Sequence, residues 1–120
     1  MKYIGFLVAY NDPDYTWASA SEAQRQAEME THGAFGAAVE QREDSTILGG
    51  EALTDGDSAT VLRQVGGEVT LTDGPFSEAT EGIGGFYLLE APNLDVAVEL
   101  FSELSPYVIE IRPVDSSVES

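Results

Sequence analysis

The chain has no cysteine, a single histidine, a single lysine and only five basic residues in all. Without cysteine there can be no disulfide staple, no thiolate nucleophile and no cysteine-bound zinc. One histidine alone also argues against a zinc site. Long hydrophobic runs are missing too. The N-terminal apolar stretch, Tyr3 to Tyr10, follows one lysine, lacks a small-residue cleavage pattern and leads into the acidic segment Asn11 to Asp14. It reads as a strand rather than a signal peptide or membrane span, and a cytoplasmic protein is expected. The shortage of positive charge leaves 22 acidic residues against five basic ones and a formal net charge of -17. Such a field repels phosphate backbones, which argues against direct nucleic-acid binding and leaves cationic ligands open. Dispersed carboxylates also suit a salty cytoplasm, where ions screen the self-repulsion that compaction must overcome. Stability should then rise with added salt; a melting temperature flat between low and molar salt would count against it. There is no GxGxxG after a strand, no P-loop and no GxSxG elbow. The "DGD" at Asp55 to Asp57 lacks the glycine and glutamate positions of a calcium loop. Neither a cofactor nor a metal is expected.

The residues that are present can build one domain. At 120 residues and 42% hydrophobic, the chain is long and apolar enough for a single core. That domain is expected over residues 1–114, with a flexible tail at 115–120. The first segment, "KYIGFLVAY", is apolar on both alternating faces, with Tyr3, Leu7 and Ala9 on one and Ile4, Phe6, Val8 and Tyr10 on the other. Such a strand is covered on both sides. "NDPD" follows as a turn. Ser19 with Glu22 matches a capping box opening a helix to about Glu43, with a small-residue stripe of Ala20, Ala23, Ala27, Thr31, Ala34 and Ala38 to lie on a sheet. "STILGGEAL" reads as a strand with a bulge or close approach at Gly49 and Gly50. "ATVLRQV", Gly66-Gly67 and "EVTLT" read as a hairpin. "IGGFYLLEA" is again apolar on both faces. Pro92 and Asn93 start a second helix, whose face is formed by Leu94, Ala97, Val98, Phe101 and Leu104. "PYVIEIRPV" closes the core.

With the hairpin set aside, the order β, α, β, β, α, β is that of a ferredoxin-like α+β fold. Its first and third strands are central, and those are the two with apolar residues on both faces. Two helices cover one face of such a sheet, so a second subunit packed sheet to sheet is expected on the other.

Several residues can carry chemistry. His32 can titrate near neutrality. It sits roughly 120° around the helix from the alanine stripe, on a flank shared with Glu28, Phe35 and Val39, and Glu28 one turn earlier can pair with it. Asp73, Gly74, Pro75 and Phe76 make a turn in which the aspartate either caps its own backbone or orients a histidine. Glu110 and Arg112 alternate with Tyr107, Ile109 and Ile111 and point to the side away from the helices, as a salt bridge or as the polar lining of a pocket. Tyr10, Tyr87 and Trp17 read as core or pocket wall.

The segments "MKYIGFLVAY", "HGAFGAAV", "GGEAL", "VTLTDGPFSEATEGIGGFYLLEAPNLDVAVE" and "IEIRPV" together resemble the YCII-related proteins of the DGPF subgroup, most specifically from Thr72 to Phe86. The resemblance implies a ferredoxin-like fold that dimerises into an α/β barrel. It also implies kinship with small-molecule monooxygenases and muconolactone isomerases, and an active histidine–aspartate pair. His32 falls on the helix histidine of that family, Asp73 on the aspartate of its named motif and Arg112 on the arginine of its closing strand. The aspartate of the wider group corresponds instead to Asp44. Members are often encoded beside extracytoplasmic-function sigma factors, which implies a regulatory context. Two functions are therefore expected to compete. One is a cofactor-independent enzyme in which His32 moves a proton and Asp73 or Asp44 holds its tautomer, with Tyr10 and Arg112 in the pocket. The other is a ligand-sensing or regulatory homodimer that meets a sigma factor.

Overall fold

The two strands that are apolar on both faces lie at the centre of the sheet. The computed structural model describes residues 1–9, 20–54, 59–73 and 83–117. Its elements run β1 (Lys2–Ala9), α1 (Glu22–Glu40), β2 (Thr46–Ala52), β3 (Thr60–Val65), β4 (Glu68–Asp73), β5 (Gly85–Glu90), α2 (Leu94–Phe101), a 3-10 turn (Ser102–Leu104) and β6 (Val108–Pro113). Four strands form an antiparallel sheet in the order β2-β5-β1-β6. With β3 and β4 left out, this is the strand order of the ferredoxin-like α+β fold. Among the described residues, β3 and β4 pair only with each other. Gly66 and Gly67 between them take φ of 60° and 84°, the left-handed pair that a two-residue primed turn needs. The chain leaves the main sheet at Leu53 and rejoins it at Gly84, where Leu53 N–H donates to the Gly84 carbonyl (2.9 Å) and Gly84 N–H to that of Leu7 (2.8 Å).

Both helices cover one face of the sheet. Tyr3 and Leu89 of the central strands meet Phe35 and Val39 of α1, Ala97, Leu100 and Phe101 of α2, and Leu104. The Phe35 and Phe101 rings stack with centroids 5.5 Å apart. Phe101 lies directly over Gly5, where a Cβ would come within 2.7 Å of the ring. That contact fixes the rotation of α2: Leu100 is buried beside Phe101, while Leu94 and Val98, expected on the inner face, are exposed.

α1 departs from expectation in three ways. Its capping box is built by Ser21 and Gln24: the Ser21 hydroxyl accepts from Gln24 N–H (3.1 Å), and the Gln24 side chain accepts from Ser21 N–H (2.8 Å). Ser19, expected in that role, lies outside the described residues, as do the "NDPD" and "DGD" turns, Tyr10, Trp17, Gly74 to Phe76 and the last three residues of the tail. The helix ends at Glu40, because Arg42 N–H turns back to the Val39 carbonyl and tightens the last turn into the loop before β2. Its buried face is also rotated. Ala23, Ala27 and Ala34 are exposed, Phe35 and Val39 are buried, and Glu28, Thr31 and His32 lie at the boundary. Ring and isopropyl groups remove far more apolar area from water than methyls do, so the helix buries the flank that carries them. No helix among the described residues is long and apolar enough to cross a membrane.

Candidate functional site

On the helix-covered face, one row of the sheet is built around a tyrosine. Tyr87 of β5 stands opposite Gly50 of β2 and Gly5 of β1, so neither neighbouring strand places a side chain beside it. At Gly50 this is obligatory: a Cβ there would lie 2.6 Å from the Tyr87 ring and 2.8 Å from the Phe86 carbonyl oxygen. The register shift between Ile47 and Gly49 sets Gly50 at this position. Above the sheet, Phe35 holds the same ring at a centroid distance of 4.7 Å. Tyr87 is thus placed by a glycine beneath its edge and an aromatic ring over it.

Its hydroxyl meets His32. The Tyr87 Oη lies 2.6 Å from His32 Nδ1, and the Tyr107 Oη lies 3.2 Å from His32 Nε2. Tyr107, one residue before β6, in turn donates its hydroxyl proton to Glu28 Oε1. These contacts fix the tautomer. An ionised carboxylate only accepts, so the Tyr107 proton is committed to Glu28 and its oxygen accepts from His32 Nε2–H. That leaves Nδ1 as the acceptor for Tyr87. The result is one directed chain, Tyr87 O–H to His32, His32 N–H to Tyr107, Tyr107 O–H to Glu28. Burial pulls the His32 pKa below its ordinary value, with the Glu28 charge opposing in part, and burial raises that of Tyr87. Burial thus favours the neutral imidazole between two phenols.

A family model for the YCII-related domain matches residues 1–114. The chain belongs to the YCII-related family. An uncharacterised protein of Rhizobium meliloti (strain 1021) is 32% identical to it over 100 residues, which is 82% of this chain and 77% of that one.

The YCII-like positions singled out in the sequence have separate surroundings in this chain. Asp44, in the loop after α1, accepts two bonds from Arg42, at 2.9 and 3.1 Å, and one from the Ser45 hydroxyl at 3.0 Å. The Arg42 bond holds its carboxyl below the usual carboxylate range. Asp73 is the exposed last residue of β4 and stands opposite Thr60 in the hairpin ladder. Arg112 donates from Nε to Glu110 Oε2 (2.9 Å) on the sheet face away from the helices. Tyr10 lies outside the described residues. The two nitrogens of His32 thus meet tyrosines, and the carboxylate that orients the ring is Glu28, acting through Tyr107. Two signals pointed there: Glu28 stands one turn before His32, and Tyr107 shares the helix-facing side with Ile109 and Ile111. An open depression of about 340 Å³ beside the end of α1, lined by Gly36, Val39, Arg42, Ser45 and Ile47, shares no residue with the array. Among the described residues, no three histidine or carboxylate side chains gather at metal-binding distance.

Proposed function

We propose that this YCII-related chain is a cytoplasmic small-molecule-binding homodimer of the DGPF subgroup, in which His32 transfers a proton to or from the bound ligand without a cofactor. The observation that carries this reading is the array itself. A general acid–base group must be held in one protonation state and one tautomer, and His32 has an acceptor on one nitrogen and a donor on the other. Structural packing alone has no need of a Tyr–His–Tyr–Glu series running in one direction.

The homodimer is supported by the uncovered face of the sheet. Ile4, Phe6, Phe86 and Leu88 stand opposite one another there, Ile4 with Leu88 and Phe6 with Phe86, and they are only partly buried in the single chain. Lys2 and Arg112, two of only five basic residues, flank this patch with Glu51, Glu90 and Glu110. An apolar centre with a rim that carries both signs of charge, in a chain of net charge -17, suits a second copy related by a two-fold axis.

A metabolite-library thermal-shift screen on wild type and His32→Ala tests the function. A compound that stabilises wild type and not the variant puts His32 in recognition, and turnover that falls steeply with the variant makes it the proton-transfer group. Binding without turnover would favour a ligand-sensing dimer, with a sigma factor as the regulatory partner. Identical shifts in both proteins would remove His32 from the site.

A further inference from the structure

The directed bonds place His32 in the middle of a series, with Tyr87 at one end and Glu28 at the other. We propose that Tyr87 Oη is the atom that exchanges a proton with the ligand, while His32 and Tyr107 relay that proton to Glu28. This rests on the proton-transfer reading of the site and changes which residue meets the ligand. Both His32 nitrogens are already engaged by tyrosines, so neither has a lone pair or proton left for a ligand unless one of those bonds breaks. Tyr87 spends its proton on Nδ1 and keeps oxygen lone pairs that can accept from a ligand O–H or activated C–H.

The step balances in protons and charge. The ligand proton passes to Tyr87 Oη as the Tyr87 proton passes to His32 Nδ1. The His32 Nε2 proton passes to Tyr107, and the Tyr107 proton to Glu28 Oε1. One bond to hydrogen breaks and one forms at every residue between, at His32 on opposite nitrogens so that the ring changes tautomer; the ligand's charge falls by one, Glu28 becomes neutral, and no residue in the middle changes charge. The reverse sequence makes Tyr87 a general acid. The partly exposed Glu28 then exchanges its proton with solvent. The strongly negative chain repels an anionic ligand, so the ligand enters uncharged or as a cation, with an enolisable C–H or a weakly acidic O–H. The sheet is shaped for this tyrosine: Gly50 yields the space its ring occupies, and Phe35 holds it from above.

Acetylation by N-acetylimidazole distinguishes Tyr87 from the other tyrosines without knowledge of the natural ligand. The Tyr87 oxygen attacks the acyl carbon, its proton goes to His32, and imidazole leaves and takes up a proton from solvent. Burial alone would make Tyr87 a slow nucleophile, because it disfavours the phenolate. The relay makes it a fast one. Peptide mapping over time at pH 7.5 should show Tyr87 acetylated about tenfold or more faster than Tyr107, with that advantage lost in His32→Gln and reduced in Tyr107→Phe. As the chain has one histidine, a long-range ¹⁵N–¹H spectrum reads its tautomer unambiguously. Wild type should be protonated at Nε2, and Tyr107→Phe, which keeps the fold's bulk, should mix the two tautomers. Equal acetylation of Tyr87 and Tyr107, a Tyr87 rate indifferent to both variants, or an Nδ1-protonated ring would each overturn the relay. A metabolite bound in a His32-dependent way by a protein with inert Tyr87 would sink the relay alone. Fast Tyr87 acetylation with no His32-dependent ligand would uphold the relay and remove the ligand-binding reading.

Discussion

Adjacent glycines on β2 should respond in opposite ways to the same substitution. Gly49 and Gly50 both have backbone angles open to any L-residue, since neither has φ in the left-handed range. A Cβ at Gly49 meets nothing within 4 Å. Gly49→Ala should therefore gain only from a less flexible unfolded chain, about 0.4–1 kcal/mol. At Gly50 the same methyl lies 2.6 Å from the Tyr87 ring and 2.8 Å from a backbone carbonyl, and neither group is the free end of a flexible side chain. Overpacking of this kind costs about 1–3 kcal/mol, from which the same entropic gain is subtracted. The two variants should differ by about 2 kcal/mol, or roughly 8 °C in melting temperature for a domain of this length. Melts must be compared at one protein concentration, because a dimer links stability to concentration. In a Tyr87→Ala background the cost of Gly50→Ala should shrink, as only the carbonyl contact remains. Equal melting temperatures for the two single variants would refute the claim that β2 is shaped around Tyr87.

Three further outcomes follow from the geometry. Phe35→Ala, which removes a fully buried ring stacked on Phe101 and Tyr87, should cost about 3–5 kcal/mol in urea denaturation, whereas Ala27→Ser on the exposed face of the same helix should stay within about 0.5 kcal/mol. The lowered His32 pKa means that the unfolded chain takes up the proton first on acidification. Its contribution should be intact above the ordinary value of about 6.5 and lost as pH falls through the folded pKa; His32→Gln should flatten that part of the stability profile, and Glu28→Gln should push the NMR-titrated His32 pKa lower still. Phe6→Glu, at the centre of the uncovered sheet face, should yield a monomer by light scattering at micromolar concentration if that face joins two copies, and a wild type that is itself monomeric would refute the dimer.

Much of the architecture was legible because it depends on periodicity. The two-faced apolar patterns of residues 3–10 and 83–91 marked the central strands, and Gly66-Gly67 marked the hairpin. Rotations about helix axes were harder. Six small residues at helical spacing outnumbered Phe35 and Val39 on α1, yet the helix buries the larger groups, so counting positions without weighting their area gave the wrong face. On α2 the face is set by Phe101 lying over Gly5, a contact between residues distant in the chain. The site was half legible for the same reason. His32 and its neighbour Glu28 are local, one helical turn apart. The two tyrosines that connect and orient them come from β5 and from the residue before β6, 55 and 75 residues away from His32, and local patterns read Tyr87 only as core or pocket wall.

The hairpin's attachment has a consequence for how this fold can change. The chain departs after Leu53 and returns at Gly84, and those two residues are already joined by a backbone hydrogen bond. The four-stranded sheet therefore closes its own ladder at that point, whatever the intervening chain does. The β3–β4 hairpin is a cassette plugged into a finished socket, and exchanging it for a short foreign turn between Leu53 and Gly84 should leave the register of β2 on β5 intact, which gives evolution and the protein engineer the same port.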